Sequence, residues 1–207
     1  MRATCLDQGD AYDIRSNVPS VTHHQANQLS REQIASISHL IALSFPDPAR
    51  TLHDRIAKCE RVCSDRSLEV FAIWEGGGVL AHAAVFPREI ATEDGPFRVQ
   101  ALAAVCTHPG HRGEGWGRAV VAAAFAQVDA GLYPLSLFQT GVPAFYAKLG
   151  ARTVHNPFVD SRYEPPAEGD RARHGTRDAP WWNPHVMIYP AAFAWPEGTI
   201  DLLGPGY

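Results

Sequence analysis

Apolar and polar positions recur along this chain with two different periods, and each change of period marks a new element. From Ser30 the period is helical. Ile34, Ile37, Leu40 and Ile41 share one face behind Ser30-Arg31-Glu32-Gln33, a capping box. Pro46 and Pro48 disfavour continuation past about Phe45. Thr51-Leu52-His53-Asp54 opens a second predicted helix through about Cys63, with Leu52, Ile56, Cys59, Val62 and Cys63 facing inward. The two helices meet at a proline-bearing elbow, FPDPAR. The period then drops to two. Ser67 to Trp74 reads as a strand, Glu75 to Gly78 as a hairpin turn, and Gly78 to Ile90 as the returning strand. Pro87 sends that strand to a sheet edge or into a bulge. After a turn at Thr92 to Gly95, Val99 to Thr107 reads as a central strand, stopped by Pro109.

HRGEGWG follows, and behind it a helix from about Trp116 to Val128 with Val120, Val121, Ala124, Phe125 and Val128 on one face. Glycines at a helix mouth let backbone N–H groups converge on a ligand, and the helix dipole favours an anion there. Arg112 and Arg118 add positive charge, so the stretch predicts a pyrophosphate cradle. Tyr133 to Phe138 is the next strand, parallel to its predecessor because a helix crosses between them. Pro143 begins a short helix that ends at Gly150, and Ala151 to Val154 starts another strand. Residues 155–184 are proline-rich and aperiodic, a long loop whose end Trp181 and Trp182 are expected to pin. Residues 185–195 read as a last strand and 196–207 as an extended tail. Near the start, Ala11 to Ser16 reads as a strand and VTHHQANQ as loop. His23 and His24 are adjacent, so in an extended chain they point opposite ways and make no joint metal site.

Composition narrows the class. With 207 residues, 45% hydrophobic and 19% charged, the expectation is one globular domain over 1–207 with a sizeable core. A net charge of −4 gives no reason to expect nucleic acid. No apolar run approaches the roughly 20 residues of a membrane span, and MRATCLDQGD lacks the pattern of a secretory leader. Cys5, Cys59, Cys63 and Cys106 do not form a disulfide framework; buried free thiols fit a reducing cytoplasm.

VCTHPGHRGEGWGRAVV resembles the acyl-CoA-binding motif of the GNAT superfamily of N-acetyltransferases, Q/R-x-x-G-x-G/A, with Arg112, Gly115 and Gly117 in the specified places. AFYAKLGA resembles the family's second motif, with Phe145, Tyr146 and Gly150. The resemblance covers about residues 30–155 plus the final strand. It implies an α/β (α+β) fold: a mixed, mostly antiparallel central sheet flanked by helices, with a splayed strand pair for the acyl-CoA. It also implies acetyl-CoA as co-substrate, no metal, and a small-molecule primary amine as acceptor, attacked directly in a ternary complex. The backbone of Val105, Cys106 and Thr107 would hold the pantetheine arm. The amides of Arg112, Gly113, Glu114, Gly115, Trp116, Gly117 and Arg118 would hold the pyrophosphate, with Phe145 beside the cofactor and Tyr146 as general acid. Two departures stand out. Gln139 occupies the place of an asparagine near the pantetheine arm, and Arg98 and Gln100 cannot replace the family's glutamate base. Other glycine-loop readings fare worse: a Rossmann fingerprint needs glycine where Arg118 stands, and no Gly-Lys-Ser/Thr is present for a P-loop.

His82, mid-strand, is the candidate base, with Glu69 and His185 as fallbacks. Cys106 near the thioester raises an acyl-cysteine route, but no histidine is placed in sequence to activate it. Acceptor selectivity is expected from the elbow (Phe45, Asp47), the turn after Phe86, the long loop and the tail. The tail faintly resembles that of aminoglycoside 2′-N-acetyltransferases, so Asp201, Glu197 and a Tyr207 carboxylate are expected to attract a cationic amine. Two alternatives stay open: an acyl-CoA-binding sensor or inactive paralogue, and a peptide or protein N-acetyltransferase. The resemblance also leaves room for a homodimer.

Overall fold

The computed structural model describes residues 20–165 and 175–207. The strand expected over 11–16 lies outside them, as does Cys5. The stretch read as loop is instead a strand, β1 (Thr22–Gln25), followed by a 3-10 turn at Ala26–Gln28. No apolar alternation announces β1, because distant partners hold it. His23 stacks on the Phe71 ring at 4.6 Å and bonds Glu69, while Thr22 donates to the Ala72 carbonyl. His24 lies on the opposite face, against the Thr22 hydroxyl.

Helix α1 (Arg31–Ser44) begins at the predicted capping box, with Ser30 and Gln33 bonded reciprocally. Helix α2 (Leu52–Cys63) is capped the same way by Thr51 and Asp54. Its facing differs from expectation: only Cys63 is buried, while Leu52 is 41% and Val62 47% exposed. The reason is that α2 rests on α1 and scarcely touches the sheet, so a single narrow edge is covered.

Strands β2 (Glu69–Glu75), β3 (Gly78–Thr92) and β4 (Gly95–Thr107) form an antiparallel meander. Pro87 stands just past the last β2–β3 pair, Glu69 with Val85, where its missing N–H falls at an edge as expected. Helix α3 (Trp116–Asp129) crosses over to β5 (Ser136–Thr140), which runs parallel to β4. Then come α4 (Pro143–Ala147), β6 (Arg152–Val154), β7 (Phe158–Val159), β8 (His185–Tyr189) and β9 (Ile200–Asp201). The order across the sheet is β1-β2-β3-β4-β5-β8-β6. The last long strand, predicted to reach Trp195, stops at Tyr189 because Pro190 offers no N–H to continue the ladder. This is the expected mixed, mostly antiparallel sheet flanked by helices.

Among the described residues three apolar clusters fill it. One lies beneath α3 and α4 (Phe71, Val85, Val120, Phe125, Phe138), and one beneath α1 (Ile37, Leu40, Val70, Ala84, Cys106). The third (Ile90, Val99, Leu137, Ile188) is covered by the tail. Ile200 and Leu202 are fully buried there, each contributing roughly 1.5–3 kcal/mol. That burial turns a tail expected to be merely extended into β9, paired with β7 and with β3 at Ala91. No helix among the described residues is long and apolar enough to cross a membrane.

Candidate active site

The ladder between β4 and β5 ends after two register pairs, Gln100 with Ser136 and Ala101 with Leu137. Beyond them β4 runs on to Thr107 bonded to β3, and β5 to Thr140 bonded to β8, so the sheet forks. Inside the fork β4 bulges: His82 faces Cys106 but Ala84 faces Ala103, leaving Ala104 and Val105 opposite Ala83. Ala104 takes φ +50, a left-handed conformation unusual for a residue with a Cβ. The His82 Nδ1–H donates to the Ala104 carbonyl at 2.9 Å; a carbonyl only accepts, so Nδ1 carries the proton. Burial of His82 lowers its pKa to about 4, and the ring is neutral at pH 7.

At the end of β4 a short 3-10 turn (Pro109–His111) leads into Gly113 and Gly115, at φ +91 and +90. Gly115 is the N-cap of α3 and no side chain caps it, so the first-turn N–H groups point outward unclaimed. A Cβ at Gly115 would meet nothing within 4 Å, which leaves the outer side clear for a ligand. At Gly117 a Cβ would come 2.8 Å from Thr107 Oγ1, so a side chain here would displace Thr107 or push the helix away from β4. Glu114 is the one carboxylate in the loop 108–118, and its charge is drawn aside. The Trp116 indole donates to it at 2.8 Å and His111 lies 3.3 Å away, holding its carboxyl below the usual range. Arg112 and Arg118 are exposed and form no ion pair among the described residues. Open N–H groups, two cations and a screened anion fit a diphosphate.

Tyr146, on α4, packs against Phe138 at 4.6 Å and Phe145 at 4.8 Å. Burial, with a smaller push from Cys106, raises its phenol above the ordinary value. Cys106 belongs to the α1 face; its burial pushes the thiol up to about 12, so it stays protonated.

Gln139 points away from Phe138, onto the α1 side of the fork. Its Nε2 donates to the Tyr207 backbone oxygen at 2.8 Å, and its Oε1 accepts from Trp182 N (3.0 Å), Asn183 N (2.8 Å) and Asn183 Nδ2 (3.3 Å). Tyr207 meets Phe86 edge-on at 5.3 Å and Trp181 at 5.0 Å, so two residues expected around the acceptor do come together. Phe45 and Asp47 stay at the elbow, where Arg55 bonds both carbonyls and Arg50 pairs with the Asp47 carboxylate. Asp201 instead accepts from Ser161 N and Leu203 N, fastening the tail. Glu69 is tied to His23 and to Gln127 near the far end of α3, remote from the cradle. His185 opens β8 opposite Thr140. Sequence reasoning misses Arg88, which donates to the carbonyls of Leu202 and Pro205; its signal is only a cation two positions beyond Phe86 on the same face of β3. Among the described residues no cluster of three His, Cys, Asp or Glu is placed to hold a metal.

Comparison with known proteins agrees with this geometry. The family described as acetyltransferase (GNAT) domain matches residues 25–154. No curated protein matches the chain significantly. Among solved structures, the chain is similar to the Escherichia coli GNAT family N-acetyltransferase YhbS in complex with CoA. The TM-score is 0.59 at 15% identity, over 92% of this chain and 97% of that one. It is also similar to a probable N-acyltransferase from Enterococcus faecalis (TM-score 0.53, 16% identity, 66% of this chain, 33% of that one). A GCN5-related N-acetyltransferase from Kribbella flavida matches likewise (TM-score 0.51, 17% identity, 65% of this chain, 33% of that one). The chain thus spans about a third of the length of the latter two proteins. At these identities the likenesses speak for the fold, while the family match extends over more than half of the chain. This chain therefore belongs to the GNAT acetyltransferase-domain family.

Proposed function

We propose that this chain transfers an acetyl group from acetyl-CoA to the primary amine of a small molecule, by direct attack. The observation that carries the reading is the fork between β4 and β5 with the uncapped, glycine-led start of α3 at its mouth. The amides of residues 112–118, with Arg112 and Arg118, suit the coenzyme's diphosphate. The unpaired edge of β4 from Ala103 to Thr107 suits the amides of a pantetheine arm, because free strand groups need partners. The CoA held by the Escherichia coli neighbour supports the same assignment. When bound, acetyl-CoA supplies an activated thioester.

This chain's residues then have distinct parts. A phenol raised by burial keeps its proton at neutral pH, which suits Tyr146 to protonate a departing sulfur. The Cys106 thiol, at about 12, is a poor nucleophile, which favours direct attack over an acyl-cysteine. His82, at about 4, is a weak base, and its better-supported part is to fix the bulge that aims the β4 backbone into the fork. The segments joined at Gln139 narrow the acceptor side, which supports a small amine over a peptide.

A binding-only role is the second reading. One observation favours it: neither His82, at a pKa of about 4, nor Glu69, held by His23 and Gln127, is poised as a base. A coenzyme-thiol release assay over a panel of small amines and peptides, paired with calorimetry of acetyl-CoA binding, separates the two. Turnover on small amines supports the transferase. Tight binding with no turnover on any member points to the sensor, and absence of binding removes both.

A further inference from the structure

We infer that Gln139 is a latch that closes the β5 side of the acceptor chamber and thereby restricts it to small amines; this rests on the acetyltransferase reading above. Gln139 stands beyond the point where β5 loses β4, so groups on this side of the strand have no neighbouring strand to meet. Two segments far apart in sequence meet there on one amide. Its oxygen takes three donors from Trp182 and Asn183, and its nitrogen donates to Tyr207. The amide accepts and donates at once over this span; a carboxylate lacks the donor and an aliphatic chain lacks both.

The two segments are packed as a unit. Tyr207 donates its hydroxyl to the Leu137 carbonyl, at the apex of the fork, at 3.0 Å. Arg88 holds the carbonyls of Leu202 and Pro205 at 3.0 and 3.1 Å. Trp181 lies edge-on between Tyr207 and Phe158. A Cβ on Gly206 would stand 2.3 Å from the Pro180 carbonyl oxygen, so the tail and the 180–183 segment touch through bare backbone. On the opposite wall stands Phe86, in contact with Tyr207. β5, the cap and Phe86 are thus joined on one side of the fork. By family resemblance an amide at this position serves the pantetheine arm. In this chain its oxygen is already occupied and one of its N–H groups is given to Tyr207, which leaves a single N–H for the coenzyme and makes the acceptor side the larger stake.

The test uses the full chain with Gln139→Ala and Gln139→Glu. KM for acetyl-CoA, KM for the best small amine, the activity ratio between bulky and small amines, and hydrogen exchange at the Trp182 and Asn183 amides are each measured. In Gln139→Ala the amine KM should rise about tenfold and the preference for small amines should collapse by a similar factor, since several hydrogen bonds are lost. The acetyl-CoA KM should move less than about twofold. Exchange at residues 182 and 183 should accelerate. Gln139→Glu keeps the accepting oxygen, so it should retain protection at 182 and 183 and lie between the other two proteins; it also serves if the alanine variant folds poorly. A rise in acetyl-CoA KM with unchanged amine selectivity would overturn the latch. So would unchanged exchange at 182 and 183 in Gln139→Ala, a readout that stands even if no amine is turned over and the proposed function itself fails.

Discussion

The imidazole of His82 holds the carbonyl of Ala104 at 2.9 Å, across a bulge in which Ala104 adopts φ +50. A left-handed alanine persists only where its surroundings impose it, and here a buried donor does so. The relationship explains why a histidine sits among apolar neighbours on β3, and it sets a first prediction. The folded-state pKa of about 4 lies below the ordinary 6.5, so the unfolded chain binds the proton more readily. The stability contributed by neutral His82 is complete above about pH 6.5 and is lost as pH falls through about 4, by on the order of 3 kcal/mol. Urea titrations of wild type and His82→Gln between pH 4 and 7 should show a shallower pH dependence in the variant. Parallel curves would reject the argument.

Tyr146 gives the second. Tyr146→Phe should lower kcat by about 10²–10³-fold with little change in the KM for acetyl-CoA, because a proton donor is lost and packing is kept. Burial raises the phenol above its ordinary 10.0, so the alkaline limb of the wild-type kcat profile should lie beyond pH 10. An activity that survives the substitution would assign the proton to water or to another group.

Cys106 and Cys59 should behave as opposites. Burial pushes the Cys106 thiol up to about 12, whereas a hydrogen bond from Cys63, whose sulfur lies 3.8 Å away, draws Cys59 below the ordinary thiol range. Iodoacetamide at pH 8 should label Cys59 well before Cys106, which should stay largely untouched in the folded protein. Cys106→Ala should keep kcat within a few-fold. Mass spectra taken after incubation with acetyl-CoA should show no acetyl group on Cys106; finding one would revive the covalent route.

Gly115→Ala probes the cradle. Its φ of +90 is strained for any residue with a Cβ, at about 1–2 kcal/mol, although the added methyl would meet no neighbour. The resulting shift of the first turn of α3 should weaken acetyl-CoA binding by about tenfold in calorimetry, with the cooperative unfolding transition retained. Unchanged affinity would mean that the α3 N-terminus does not receive the diphosphate.

Features governed by neighbours within a few residues were legible in the sequence. The capping boxes at Ser30 and Thr51, the glycine turn before α3, the parallel crossover to β5 and the Pro87 edge all depend on local hydrogen bonding or steric fit, and each appears where the pattern predicts it. Features decided by distant partners were not. β1 is held by Phe71 and Glu69, which no periodicity near His23 announces. Val62 has the spacing of a core position but faces solvent, because α2 leans on α1 instead of the sheet. The tail becomes a strand through burial against β3 and β7. Gln139 fills a family position by sequence, and the direction of its amide is set by Tyr207, 68 residues away, and by Trp182 and Asn183. The chain alone thus determined the capped helices, the meander and the glycine turn before α3, whose energies are local. Tertiary structure decided the bulge clamp and the joining of Gln139 to the tail and to residues 182–183, whose hydrogen bonds form only when remote segments are brought together.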